Sequence, residues 1–175
     1  MAQSKRGLRG GTLEEIINLT NAKYIERKIA IVQKIPTPIT PVQIDAQNKT
    51  ITLAYFEKRS TIDYIGLAQG VSFCFDAKET KLKNLPINNM HQHQIDFMQQ
   101  FEEQGGISFI LAYFSAYNQY FIMPFKDLKP YWDRAIKGGK KSISYEDFNK
   151  KYEIKLKGGH LNYLEGLNTL LGEDE

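Results

Sequence analysis

The chain has 175 residues, 42% of them hydrophobic and 12% aromatic, enough to bury a sizeable core in one domain and too apolar for a disordered chain. Net charge is only +3, but Glu165, Glu173, Asp174 and Glu175 make residues 165–175 an acidic tail, so residues 1–160 carry +7, a balance that suits a polyanionic partner. No apolar run reaches the length of a membrane span, no signal peptide follows Met1, and a lone Cys74 excludes an internal disulfide, so a reduced, cytoplasmic protein with no membrane partner is expected.

Thr12-Leu13-Glu14-Glu15 reads as a capping box, and Leu13, Ile16, Ile17 and Tyr24 then recur at helical spacing, which predicts a helix over 12–28. A strand follows over 29–35. Prolines at 36, 38 and 41 bar a helix and argue against a central strand. Residues 42–45 and 50–56 alternate around Gln47-Asn48-Lys49 as a hairpin projecting from the body, an insertion spanning about 36–60. Strands are expected over 62–67 and 71–78, then a helix over 90–103 that stops at Gly105-Gly106. Strands over 107–114 and 119–123 precede helices over 126–136, 145–152 and 160–171. The order implies an α/β fold: one mixed central β-sheet flanked by helices, with no linker dividing residues 1–175.

The chemistry gathers in the pair of strands ending in Phe75-Asp76-Ala77-Lys78. A two-residue turn at Gln69-Gly70 sets the register so that Asp63 faces Asp76 and Thr61 faces Lys78. Opposed residues share a sheet face, as do residues two apart, so these four side chains form one patch. Ile62, Tyr64, Phe73, Phe75 and Ala77 then lie on the other face, in the core. Two opposed carboxylates repel unless a cation lies between them. Oxygen donors alone favour a hard ion such as Mg²⁺ or Mn²⁺, and with Lys78 alongside they are suited to phosphodiester hydrolysis. Taken by itself, the D-x-K triplet reads equally as a surface ion pair at a strand end.

Further motifs occur in order: G-x-T-L-E-E at the first helix, S-T-x-D-Y-x-G at 60–66, F-D-A-K-E-T at 75–80 and H-x-H-Q at 91–94. Gln104-Gly105-Gly106 and Lys137-Gly138-Gly139-x-x-Ser142 complete the set. Together they resemble the RecU-type Holliday junction resolvases of the PD-(D/E)-x-K nuclease superfamily, over about residues 9–163. The resemblance implies a restriction-endonuclease-like fold with the proline-flanked hairpin as a stalk. It implies Mg²⁺ held by Thr61, Asp63, Asp76 and Gln94, with Lys78 stabilising the transition state. His91 shares a helical face with Gln94, while His93 points elsewhere, and both read as polar packing. Asp76 stands where these resolvases usually carry Glu, one methylene longer. Lys5, Arg6 and Arg9 make a first basic cluster and Lys137, Lys140 and Lys141 a second; Arg9, Lys49, Lys58 and Arg59, with Lys140 and Lys141, are the expected DNA phosphate contacts.

The activity implied is crossover-junction endonuclease: paired nicks in four-way junction DNA during recombination and repair. A homodimer supplies the two sites, with the Phe- and Tyr-rich strands of 107–125 offering apolar surface for it. Strand-exchange and branch-migration proteins are further candidate partners. Two other readings stay open: a related nuclease acting on duplex or flap DNA, and a DNA-binding recombination accessory that does not cleave.

Overall fold

Helix α1 (Thr12–Glu26) opens the computed structural model, which describes residues 12–56 and 61–172. Strands β1 (Ile31–Lys34), β2 (Ile39–Asp45), β3 (Thr50–Phe56), β4 (Tyr64–Ala68), β5 (Val71–Thr80) and β6 (Asn84–Pro86) follow. Helix α2 (Gln92–Glu103) leads into β7 (Ile107–Phe114), β8 (Gln119–Pro124) and helix α3 (Phe125–Ile136). The chain closes with β9 (Ser142–Ser144), β10 (Glu153–Ile154), β11 (Leu156–Lys157), β12 (His160–Leu161) and α4 (Tyr163–Leu171). Among the described residues no helix is long and apolar enough to cross a membrane.

Six strands form one sheet in the order β1-β4-β5-β7-β8-β10. Neighbours run antiparallel except β5 and β7, which are parallel. A parallel pair needs a crossover, and α2 supplies it. The mixed sheet flanked by helices agrees with the sequence expectation.

Both faces of the sheet are covered, so its central strands are apolar throughout rather than alternating. On one face α1 and α4 pack over Tyr64, Phe73, Phe75, Phe109 and Tyr163, where Phe75 stacks on Tyr64 and Phe109 at centroid distances of 4.7 and 5.0 Å. On the other, α2 and α3 close over Cys74, Ile110, Ala112, Met98, Leu128 and Trp132. The aromatic strands β7 and β8 are consumed by these two cores, which corrects the expectation that residues 107–125 leave apolar surface for a dimer.

The β4–β5 hairpin has the expected register: Tyr64 pairs with Phe75 and Ala68 with Val71. Its two turn residues, Gln69 at φ 49° and Gly70 at φ 90°, are both left-handed. That is the type I′ geometry that matches strand twist. Gly66 lies opposite Phe73, whose ring occupies the space a Cβ would need.

Strands β2 and β3 pair only with each other among the described residues. Their Ile39, Val42, Ile44, Ile51, Leu53, Tyr55 and Phe56 are exposed. Asp45 closes the turn by accepting from the amides of Gln47 and Asn48, at 3.0 and 3.1 Å.

Three local expectations change. Residues 145–152 form two short 3-10 turns (145–147 and 150–152) around Asn149, not a helix; the Asn149 side chain takes the Lys151 amide, a competing local bond of the kind that stops helices. Residues 160–161 are strand β12, and α4 starts only at Tyr163. Ile62 packs with Cys74 in the α2–α3 core rather than with Tyr64, because the backbone bends at Thr61 and Asp63 and β4 begins at Tyr64. The Thr12 side chain, and with it the capping box, lies outside the described residues.

Candidate active site

Alternation along β5 places Phe75 and Ala77 in the α1–α4 core and turns Asp76 and Lys78 to the opposite face. There the neighbouring strand offers only Ile110 and Ala112 as their register partners, both buried and apolar. Asp76 is accordingly 1% exposed, so the D-x-K triplet is not a surface ion pair.

Two neighbours satisfy this carboxylate. The Lys78 ammonium forms an ion pair with Asp76 Oδ2, its own side chain only 14% exposed. Gln94 Nε2 donates to Asp76 Oδ1 at 2.7 Å. Among the described residues, no donor apart from Lys78 reaches Oδ2. Burial still prevails: it pushes the Asp76 carboxyl up from 3.8 to about 7, with Lys78 opposing the rise and the nearby Asp63 carboxylate adding to it.

Asp63 lies one residue beyond the last ladder pair, where the register sets it across from Asp76. Its backbone carbonyl accepts from Ile35 N–H at 2.8 Å, and its Oδ2 takes the Ala77 amide at 2.9 Å. A side chain thus replaces a ladder carbonyl at the strand's end and fixes one carboxylate oxygen beside Asp76. Thr61 is exposed in the bend before Asp63, so the ladder does not extend to the Thr61–Lys78 pair.

Gln94 occupies the first turn of α2. Its Oε1 accepts from the His91 amide at 3.0 Å, satisfying a donor at the helix start. The same amide group therefore ties the helix end to Asp76, presenting its NH₂ to the carboxylate. The resemblance implies Gln94 as a metal ligand; in the structure its Oε1 accepts from the His91 amide and its NH₂ end faces Asp76, an orientation for which the sequence carries no signal. His91 and His93 stack at 5.4 Å, so His93 does not point away from His91 as helical spacing implied; His91 is the cap residue and lies outside the helix. Cys74, under the site, is inert: burial raises its thiol to about 12, and it contacts Ser108 Oγ at 3.3 Å.

Of the expected DNA contacts, Arg9, Lys58 and Arg59 lie outside the described residues. Lys49 is exposed in the β2–β3 turn at φ 52°. Lys140 and Lys141 are exposed in the loop after α3, and Lys140 donates to Ser144 Oγ at 2.6 Å. That loop leads into β9, which pairs with β6, and the Lys141 carbonyl accepts from Ile87 N–H at 3.0 Å. A cleft of about 380 Å³ joins Lys141 to Trp132 and to Met90, the residue before the α2 cap. The second basic cluster is thereby on the same side of the sheet as Asp76.

The family model for recombination protein U (RecU) matches residues 8–169. The chain belongs to the RecU family. Its relatives include the Holliday junction resolvase RecU of Oenococcus oeni, 42% identical over 171 residues that cover 94% of this chain and 86% of that protein. The Holliday junction resolvase RecU of Lactiplantibacillus plantarum is 38% identical over 176 residues, covering 95% and 84%. That of Bacillus pumilus is 36% identical over 179 residues, covering 99% and 86%. A solved structure of Archaeoglobus fulgidus Hjc, a Holliday junction resolvase, aligns with a TM-score of 0.45 at 8% identity, covering 79% of this chain and 91% of that one.

Proposed function

We propose that the chain is a Mg²⁺-dependent endonuclease that resolves four-way DNA junctions by paired nicks. The observation that carries this reading is Asp76 itself. A carboxylate buried to 1% exposure against Lys78, with Asp63 at its side, costs stability, and a family of junction resolvases supplies the reason to keep it.

The acidic donors fit a hard divalent cation. Asp63 and Asp76 offer carboxylate oxygens, and among the described residues Asp76 Oδ2 has no hydrogen-bond donor beyond Lys78; the Thr61 hydroxyl, exposed in the bend before Asp63, would join them on the bound ion. Among the described residues no cluster of three or more His, Cys, Asp or Glu side chains could hold a metal. Mg²⁺ suits such a site because it is held through few carboxylates and completes its shell with water and phosphate, and Mn²⁺ has the same preference for oxygen. When bound, the ion supplies positive charge against the scissile phosphate.

The chain's own groups do the rest. The Ala77 amide and Gln94 Nε2 hold the two carboxylates in place, and Lys78 offsets charge developing on the phosphate oxygens. Lys49, Lys140 and Lys141, with Arg9, Lys58 and Arg59, draw the backbone in through phosphate contacts. Two scissile strands require two sites, so the working unit is a homodimer. The apolar side chains exposed on β2 and β3 support that reading, since a patch of this kind on a soluble chain marks an interface.

A labelled synthetic four-way junction, incubated with Mg²⁺ beside linear and flap DNA, tests the proposal. Symmetric nicks in opposed strands are expected, lost on metal removal and in Asp63→Asn or Asp76→Asn. Junction binding without cleavage by the unaltered protein would favour the accessory reading. Equal cutting of linear duplex or flaps would favour the general nuclease.

A further inference from the structure

Behind the sheet, on the α1–α4 side and away from Asp76, a second cluster of charge is gathered without any catalytic partner. Lys23 and Arg27 stand one helical turn apart at the end of α1. Facing them is the β11–β12 ribbon, in which Lys157 pairs with His160. Its turn residues Gly158 and Gly159 have φ of 57° and 77°, a tight two-residue turn that sets Lys157 and His160 side by side. The four side chains line one open cleft of about 380 Å³, within the size range of small-ligand sites.

Two hydrogen bonds tie the ribbon to α1. Thr20 Oγ1 accepts from Leu161 N–H at 3.0 Å, and Tyr24 Oη donates to the Leu161 carbonyl at 3.4 Å. Cations in a last helical turn complement the helix dipole, and one would suffice for that. Here three share a concavity, and none of them forms an ion pair among the described residues. Of the acids nearby, Glu26 is exposed and Glu165 takes the Asn162 side-chain amide at 3.2 Å; neither pairs with these cations among the described residues. His160 Nδ1 is buried and has no hydrogen-bond partner among the described residues. Partial burial, then Lys23 and Arg27, lower the pKa of this imidazole, a sign that their positive field is felt there.

Like charges gathered in a concave site, beside an unsatisfied ring nitrogen, are stabilised by an anion. We propose that this cleft is a phosphate-binding site, bound through Lys23, Arg27 and Lys157 with the His160 imidazole as hydrogen-bonding partner. The phosphate comes either from a DNA backbone passing behind the sheet or from a free phosphate compound. The site stands whether or not the chain cleaves junctions, since occupancy is read without any cleavage.

Nuclear magnetic resonance separates the outcomes. Titration of the isotope-labelled protein with inorganic phosphate should shift the Gly158, Gly159 and His160 signals along a saturating curve. Glutamine at all three cationic positions, Lys23→Gln, Arg27→Gln and Lys157→Gln, should weaken that binding by about tenfold or more. A second arm uses a short DNA duplex. If the same signals move with duplex, and the triple variant lowers the slope of log K against log salt by about one or more, the phosphate is a backbone phosphate. If only inorganic phosphate saturates, the ligand is a free phosphate compound. Signal changes that merely match those caused by sodium chloride at equal ionic strength, or that persist unchanged in the triple variant, would overturn the site. His160→Gln, which keeps the three cations, should give an intermediate loss; no loss would remove His160 from the set.

Discussion

Replacing Asp76 by asparagine should abolish a specific pH dependence of folding in the metal-free protein. Burial raises the Asp76 carboxyl from 3.8 to about 7. Between those values the folded protein holds a proton that the unfolded chain has released, so stability falls as pH rises. It is fully present below the unfolded value and lost through the folded one. A tenfold change in proton affinity is worth about 1.4 kcal/mol, so the interval from 3.8 to about 7 amounts to on the order of 4 kcal/mol. The asparagine side chain cannot titrate. It also strips Lys78 of its partner, but that adds a constant offset rather than a slope. The assay is urea unfolding of both proteins in a chelator, from about pH 5 to about pH 9. Groups that titrate alike in both cancel, and the difference, wild type minus variant, should decline by about 1.4 kcal/mol for each pH unit up to about pH 7 and then level off. A divalent cation, which needs the ionised carboxylate, should lose about tenfold in affinity for each pH unit below about pH 7. A flat difference between about pH 5 and about pH 7 would mean that Asp76 is ionised in the empty site, and that burial does not outweigh Lys78.

Lys78→Ala should slow junction cleavage by roughly 10²–10³-fold, as loss of one group stabilising transition-state charge does. Single-turnover rates at rising Mg²⁺ check this, because a defect cured by more metal would make Lys78 an aid to metal binding instead. Gly66→Ala should destabilise by about 1–3 kcal/mol, since its Cβ would lie 2.7 Å from Phe73 Cε2 and that ring, 0% exposed and stacked between neighbours, has nowhere to move. An unchanged urea midpoint would show that the aromatic stack is looser than its geometry implies.

What could be read from the chain was set by how local each determinant is. Gln69-Gly70 specifies a two-residue turn, and a turn of known length fixes a register, so the juxtaposition of Asp63 and Asp76 was legible from that hairpin alone. The burial of Asp76 was not. It depends on β7 lying parallel to β5 and on α2 crossing over them, a non-local arrangement that no turn residue announces. The same cause hid the fate of the Phe- and Tyr-rich strands: apolar runs read alike whether one face or both are covered. Ile62 was assigned to the wrong core because strict alternation was carried past the bend at Asp63. Residues 145–152 looked helical by spacing alone, while the Asn149 side chain, bonding its own backbone, broke the run.

The position of Asp76 also explains why fold and chemistry cannot be separated at this site. The residues that bury it, Ile110 and Ala112 on β7, belong to the core that also holds α2. From α2 comes Gln94, which donates to Asp76 and accepts from the His91 amide. A carboxylate destabilised by desolvation is thus anchored by the element whose packing desolvates it. Loosening α2 would let water reach Asp76 and relieve the penalty, but it would also free the carboxylate to rotate and weaken its hold on a cation. Tightening it with apolar substitutions at position 94 would leave Asp76 Oδ1 without its donor, a loss of about 1–3 kcal/mol for a buried acceptor. An amide at this position meets both demands with one side chain, because it can donate to the acid and accept from the helix start at once.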